Sequence, residues 1–335
     1  MICMIKGNRS IPTMKDVARE AGVALGTVSK VFNDVPVGED YRQRVMEASK
    51  KLGYQVNQYA RSLKTNKTYT VALILPGIEH PFFAVLARQV YLALAKRNYR
   101  TLLYLTDSGP EMEQACIRMV RQNKADGIIG LTYNPDLEIG EDIPFVSIDR
   151  YFSPSVPCVT SDNFGGGRMA AEKLLSLGCR RLAFLRIGSA QSGEVDKRSD
   201  GFEQVCRSRS VGYDILRLND DTSAVEDFFP LLQSHISNGR LDWDGIVCVT
   251  DMLAWRIREM LGKLGVRVPE DVQIIGFDGV PVYFSGTLPC STIAQPVAQI
   301  AETSVDILLR EDKSSLPSLL CLPVKYICGG TTREE

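Results

Sequence analysis

Polar residues that close apolar runs are the first candidates for chemistry in this 335-residue chain. Asp149-Arg150, Asp162-Asn163, Thr250-Asp251 and Asp278 all sit in that position. Carboxylates that accept hydrogen bonds from neighbouring hydroxyls are a sound way to hold a polyol such as a sugar, and Arg198 adds donors for a hydroxyl or phosphate oxygen. An aspartate after a strand equally caps a turn or a helix, so either role is open to each one alone; together they favour a small polar ligand. His80-Pro81-Phe82-Phe83 brings rings that cover a sugar's apolar face or simply pack a core.

Catalysis finds less support. There is no phosphate loop of the GxxxxGK[ST] type and no GxGxxG after the apolar run Val71 to Leu75. Gly165-Gly166-Gly167 opens a helix, where an anion or close chain packing accounts for the glycines equally well. His80 precedes a proline and His235 lies late in a surface-type helix, so neither reads as a general base. The nine cysteines, at 3, 116, 158, 179, 206, 248, 290, 321 and 328, include no CxxC pair, which argues against structural zinc and against a disulfide framework. No cofactor or metal is expected, and no enzyme activity. MICMIKGNRS lacks the pattern of a secretion signal, and no stretch approaches the roughly 18 to 20 apolar residues of a membrane helix. A cytoplasmic location without membrane association is the expectation.

The elements that must position these residues fall into two kinds. Residues 1–67 hold twelve Lys and Arg against six Asp and Glu, whereas the remainder holds 27 against 34. A basic head on an acidic body fits a polyanion-binding module joined to something else. Within the head, Thr13 to Asp16 reads as a capping box in which Thr13 accepts from an exposed amide, and Gly22 stops the helix that follows. ALGTVSKVFN then reads as a second short helix anchored by Val28, Val31 and Phe32, and residues 41–52 as a third. Ala24 lacks a capping side chain, and Gly26 sits near a helix start. Residues 57–64 are too few for a stable isolated helix, so any helix there is conditional on a partner.

Beyond residue 68 buried strands alternate with helices. Strands are expected at 71–75, 100–105, 127–131, 145–148, 181–187, 245–249 and 272–277. Helices are expected at 81–96, 110–122, 167–177, 199–209, 224–237 and 253–264. This α/β grammar runs twice, giving two lobes of parallel sheet flanked by helices, with ligands expected beyond the carboxyl ends of the strands.

TMKDVAREAGVALGTVSKVFND, LGYQVNQYARSLKTNKTYTVALILP, HPFFAVLARQV, IPFVSIDR, SDNFGGGRMAAEKLLSLGCRRLAFL, VPEDVQIIGFDGVP and STIAQPVAQIAETSVDILL follow one another in an order that resembles the lac-repressor and galactose-repressor family of bacterial transcription regulators. The resemblance runs from Thr13 to about Pro323. It implies a small all-α helix-turn-helix headpiece at 1–56, a hinge helix and linker at 57–67, and a two-lobed effector-binding and dimerisation core at 68–335, like that of periplasmic binding proteins. It further implies a regulator, most simply a repressor released from its operator by a sugar or sugar phosphate. A co-repressor-dependent or activating regulator with a non-sugar effector, and more remotely a sugar-binding protein with no DNA role, are the rival readings.

Carried over residue by residue, the resemblance assigns DNA contact to Thr13, Leu25, Gly26, Thr27, Ser29, Lys30 and Asn33 in the headpiece. Asn57, Ala60, Arg61 and Leu63 join them in the hinge, where Leu63 matches a leucine that enters the minor groove. It assigns effector contact to His80, Phe82, Phe83, Asp149, Asp162, Arg198, Thr250, Asp251 and Asp278. Three positions depart from the family pattern: Thr250 and His80 stand where asparagine is common, and Asp196 where a second arginine is common. The implied partners are double-stranded operator DNA, a small-molecule effector and a second copy of the chain, with room for an accessory protein. The last residues, CGGTTREE, carry no leucine heptads, so a dimer rather than a tetramer is expected.

Overall fold

The computed structural model describes residues 12–33, 35–54, 67–107, 109–134, 136–140, 142–188, 193–219, 224–281, 288–312 and 317–334. The expected hinge helix, with Asn57, Ala60, Arg61 and Leu63, lies outside the described residues. Two compact units meet in sequence at Thr68 and Tyr69.

The first unit holds α1 (Met14–Ala21), α2 (Leu25–Phe32) and α3 (Glu39–Leu52). Val17, Ala18, Ala21, Val28, Val31, Val45 and Ala48 bury the apolar stripe of each helix against the other two, and Tyr54 closes the cluster beside Phe32. Gly22 ends α1 at φ 62, a left-handed backbone, and the Arg44 guanidinium caps the free Ala21 carbonyl at 2.7 Å. The start of α1 differs from expectation in one respect. The Thr13 hydroxyl donates to the Asp16 carboxylate at 2.7 Å, as does the Thr13 amide at 2.9 Å. The hydroxyl is turned toward the charged acceptor and no helix amide donates to it. Helix α3 begins two residues before the expected Tyr41, with Glu39 and Asp40 favourably placed in its first turn.

The second unit contains two six-stranded sheets. The first uses β1 (Thr70–Leu75), β2 (Arg100–Leu105), β3 (Gly127–Gly130), β4 (Phe145–Ile148), β5 (Cys158–Ser161) and β13 (Leu319–Leu322), in the order β13-β5-β4-β3-β1-β2. All its pairings are parallel. Helices α4 (Pro81–Lys96), α5 (Pro110–Gln122) and α10 (Val297–Leu309) cover it. The second sheet orders β14 (Lys325–Ile327), β12 (Ser291–Ala294), β11 (Gln273–Asp278), β10 (Gly245–Cys248), β6 (Arg181–Gly188) and β7 (Gly212–Asn219). Only β14 runs antiparallel in it. Helices α6 (Asn163–Ser176), α7 (Lys197–Ser208), α8 (Phe228–Ser234) and α9 (Asp251–Lys263) pack on this lobe. Central strands such as β1 and β11 are buried at every position, as parallel strands covered on both faces must be. Three chain passages join the lobes: β5 through α6 to β6, β12 through α10 to β13, and β13 to β14.

Two expected helices change on folding. The one expected at 167–177 starts at Asn163, because the Asp162 carboxylate accepts from Gly165 N at 2.8 Å and caps the helix four residues earlier. The one expected at 224–237 is a short 3-10 turn at Val225–Asp227 followed by α8. A hairpin of β8 (Ile236–Ser237) and β9 (Arg240–Leu241) then replaces its end. Asn238 and Gly239 turn this hairpin with φ 53 and 71, values that a two-residue hairpin loop requires. Helices α6 and α7 cross at Gly167 and Gly201. A methyl added at Gly167 would lie 1.9 Å from the Arg198 carbonyl oxygen, and one at Gly201 2.0 Å from that of Phe164. Close packing thus accounts for Gly167.

Candidate functional site

A cavity of about 480 Å³ opens where the carboxyl ends of the two sheets face each other. The first lobe lines it with His80, Phe82 and Phe83 after β1, Thr132 and Tyr133 after β3, and Asp149 and Arg150 after β4. The second lobe adds Arg186, Glu194, Asp196, Arg198, Thr250 and Asp278, and Gln295 lies on a passage between the lobes.

Arg198 and Asp278 form its floor, each exposed by less than 5% at 3% and 4%. Arg198 Nη1 donates to the Val249 carbonyl at 2.6 Å and lies 3.7 Å from Asp278 Oδ1. The guanidinium carbon sits 3.7 Å from the centre of the Phe277 ring, a cation–π contact within a dry core. Burial pulls the Arg198 pKa down and pushes Asp278 up, while each one's charge favours ionisation of the other. Gln295 Nε2 donates to Asp278 Oδ1 at 2.7 Å, and its Oε1 accepts from Ser161 of the first lobe at 2.7 Å. A second chain also crosses between the lobes. Arg198 Nε donates to Asn163 Oδ1 at 2.7 Å, Asn163 Nδ2 to Thr160 Oγ1 at 3.1 Å, and Thr160 Oγ1 to Asp149 Oδ1 at 2.7 Å. Desolvation by the surrounding protein pushes the Asp149 carboxyl up, although it remains partly open to the cavity.

Backbone geometry aims both carboxylates. Asp149 has φ 55 and Asp278 φ 122, in sparsely populated territory for side chains with a Cβ, at a cost of about 1–3 kcal/mol each. Such strain persists where surrounding bonds over-determine the residue, as the two chains do here. His80 caps α4, its Nδ1 accepting from Phe82 N at 3.3 Å, with Nε2 3.9 Å from Asp278 Oδ2. Its ring lies 5.3 Å from that of Phe83, so an apolar wall adjoins the carboxylate.

Of the sequence-derived candidates, the cavity brings together His80, Phe82, Phe83, Asp149, Arg198, Thr250 and Asp278. Thr250 also caps α9, accepting from Leu253 N at 3.2 Å. Two candidates stand apart from the lining. Asp162 is exposed at the α6 cap. Asp251 is buried behind the floor, where it accepts from Gly279 N at 2.8 Å and from the Cys290 thiol at 3.4 Å, and thereby holds the turn that carries Asp278. Arg186, Gln295, Glu194, Thr132 and Tyr133 line the cavity without having been singled out. Arg186 had a signal, a cation inside the buried strand LAFLRIG, and Gln295 stands at the exit of STIA just as the chosen residues stand at theirs.

Asp251 gives the core a pH signature. Burial, reinforced by the negative charge of Asp278, pushes its carboxyl up to about 7. The folded protein therefore holds this proton more tightly than the unfolded chain. The stability it contributes is complete below about pH 4 and is lost as pH rises through about 7. Denaturant melts of Asp251→Asn are expected to show a shallower fall between pH 4 and 7.5 than the unsubstituted protein. An equally steep fall would assign that pH dependence to another group.

In the first unit α2 exposes Leu25, Gly26 and Lys30, while Thr27 and Ser29 are half-buried. Space around Gly26 is open: a methyl there would meet nothing within 4 Å. Asn33 ends the helix, donating Nδ2 to the Ser29 carbonyl at 2.7 Å. Thr13 is exposed at the head of α1. One face of a short helix thus offers a leucine, a lysine and no obstruction, with two hydroxyl residues at its margin.

Comparison with known families decides what these surfaces belong to. Residues 13–57 match the bacterial regulatory proteins of the lacI family, and residues 68–308 match the periplasmic binding proteins and sugar binding domain of the LacI family. The chain belongs to the LacI family. Its members are DNA-binding transcription regulators, not enzymes, and this member has the helix-turn-helix and the two-lobed α/β core of a LacI protein.

Relatives of this LacI protein include the ribose operon repressor of Bacillus subtilis, 33% identical over 335 residues that cover 96% of this chain and 99% of the relative. The sucrose operon repressor of Streptococcus mutans is 31% identical, covering 95% and 99%. Among solved structures, the lac repressor dimer bound to operator and the anti-inducer ONPF superposes with a TM-score of 0.83 at 21% identity, over 96% of this chain and 99% of that one, which establishes the shared fold. A periplasmic binding protein/LacI regulator from Alkaliphilus metalliredigens complexed with D-xylulofuranose gives 0.69 at 28% identity, over 79% of this chain and all of the other. Among the described residues no helix is long and apolar enough to cross a membrane.

Proposed function

We propose that this LacI-family protein is a cytoplasmic repressor that binds a near-palindromic operator as a homodimer and is released when a small sugar or sugar phosphate fills the cavity of the core. The observation that carries the reading is the polar floor of Arg198 and Asp278, tied into both lobes through Asn163 and Gln295 and walled by His80 and Phe83. Carboxylates and guanidinium donors around an aromatic wall suit a ring with hydroxyls on its edge and C–H groups on its face. The names of the ribose and sucrose operon repressors support the same class of ligand.

The division of labour follows the chain. Residues 1–56 form the headpiece, 57–67 the hinge, and 68–335 the effector-binding and dimerisation core. Leu25, Thr27 and Lys30 read bases from α2, with Ser29 and Asn33 toward phosphate and Leu63 entering the minor groove. Dimerisation is supported by edge strand β2, which exposes Leu102, Leu103 and Leu105, and by exposed Trp255 on α9. Sugar binding draws the lobes together and shifts the start of β1, the first strand after the hinge, so the hinge helices lose the pairing on which they depend. The two sites are then coupled reciprocally.

The test is selection of genomic fragments by the purified full-length protein, followed by gel-shift titration with D-ribose, sucrose and their phosphate esters. Release by one of them is expected; ligands that all strengthen the complex would reverse the assigned sign. On the selected operator, Lys30→Ala is expected to lower affinity about tenfold and to relax the base preference at one position, with the salt slope unchanged. Uniform weakening across sequences with a slope reduced by about one would make Lys30 a phosphate contact instead of a reader of bases.

A further inference from the structure

The cavity holds a charge arrangement that bears on which ligands it takes. Three arginines line it, and each already faces acid. Arg198 lies 3.7 Å from Asp278, Arg150 has Glu113 and Asp136 as its anionic neighbours, and Arg186 Nη1 meets Asp196 Oδ1 directly. Asp196 is itself held in place by Gly193 N at 2.7 Å and by Arg217 at 3.3 Å. Four carboxylates line the same space: Asp149, Glu194, Asp196 and Asp278.

We propose that Asp196 makes this cleft select uncharged polyols and reject their phosphate monoesters. The inference rests on the sugar-binding reading above and narrows it. A phosphate recognises a guanidinium through its two-pronged donor face. On Arg186 one prong of that face, Nη1, already meets Asp196 Oδ1, so a phosphate must either displace a carboxylate held by three partners or sit beside it, where like charges repel strongly in a partly desolvated site. An uncharged hydroxyl meets neither difficulty, because it donates to a carboxylate and accepts from an arginine at once. A second observation points to a polar ligand in the same cavity. Thr132 lines the cavity at 1% exposure, and its buried Oγ1 has no hydrogen-bond partner among the described residues. That group is satisfied by a ligand hydroxyl.

The experiment is calorimetric titration of the full-length protein, at constant ionic strength, with inorganic phosphate, D-ribose 5-phosphate and a panel of neutral sugars including D-ribose and sucrose. The unsubstituted protein is expected to give no binding of either phosphate compound up to about 10 mM, and Asp196→Asn to bind both at least about tenfold more tightly than it does. Glu194→Gln, which removes a cavity carboxylate without touching Arg186, serves as the second variant and is expected to gain in the same direction by less. The proposal is overturned if the unsubstituted protein takes D-ribose 5-phosphate as tightly as any neutral sugar, or if the folded variants gain no affinity for inorganic phosphate. Silence of every neutral sugar together with a gain of phosphate affinity in Asp196→Asn would instead sink the sugar reading and leave the screening role of Asp196 standing.

Discussion

Asp278→Asn is expected to raise the sugar concentration needed to release the operator by about 10- to 100-fold, with operator affinity in the absence of sugar unchanged within about twofold. The magnitude is that of one hydrogen bond to a charged acceptor, about 1.5–3 kcal/mol. Asparagine conserves the volume, and its carbonyl oxygen still accepts from Gln295, which holds Oδ1 at 2.7 Å in the native protein. What disappears is the negative charge that balances buried Arg198 and that, in the proposed function, receives sugar hydroxyls. Gel shifts over a sugar titration read both quantities on the same sample. A variant released at the native sugar concentration would remove Asp278 from the binding set, and a parallel loss of operator affinity would indicate damage to the core as a whole.

Gly167→Ala is expected to destabilise the core by about 2–3 kcal/mol and to abolish the sugar response together. The added methyl has nowhere to go: it would sit 1.9 Å from the Arg198 carbonyl oxygen, a backbone atom that cannot rotate aside. Helices α6 and α7 must part, and because the obstructing residue is the floor arginine itself, its guanidinium is carried away from Asp278 and Asn163. For a core of this size the melting temperature should fall by roughly 4–12 °C. Gly212→Ala is the control, since a methyl at the start of β7 would meet nothing within 4 Å. A Gly167→Ala protein with native melting behaviour would show that the two helices adjust without strain.

Asp278 was visible as the polar end of VQIIGF, because a strand buried on both faces is mostly apolar and its charged residues gather toward its ends. The same logic selected Asp149 and Thr250, and both reach the cavity. It selected Asp162 and Asp251 on equal grounds, yet the first caps α6 in the open and the second supports the turn behind the floor. Arg186 and Gln295 were passed over, although both line the cavity. In the headpiece the apolar spacing of Val28, Val31 and Phe32 was enough to place α2 and its exposed face, because the side that buries these residues leaves Leu25, Gly26 and Lys30 on the outside.

The sequence by itself determined the class of the fold, the basic head and acidic body, the alternation that makes two parallel sheets, and the end of each sheet at which the cavity opens. These properties are local: apolar runs, caps and charge are written in neighbouring residues. Only the tertiary structure decided which polar groups converge. Strand β13 joins β5 across more than 150 residues, Gln295 reaches Asp278 from a passage between lobes, and Arg186 is directed at Asp196 by the packing of β6 against the turn before α7. A buried charge takes whatever partner the folded chain places beside it, and no periodicity along the chain encodes a partner that lies on another strand.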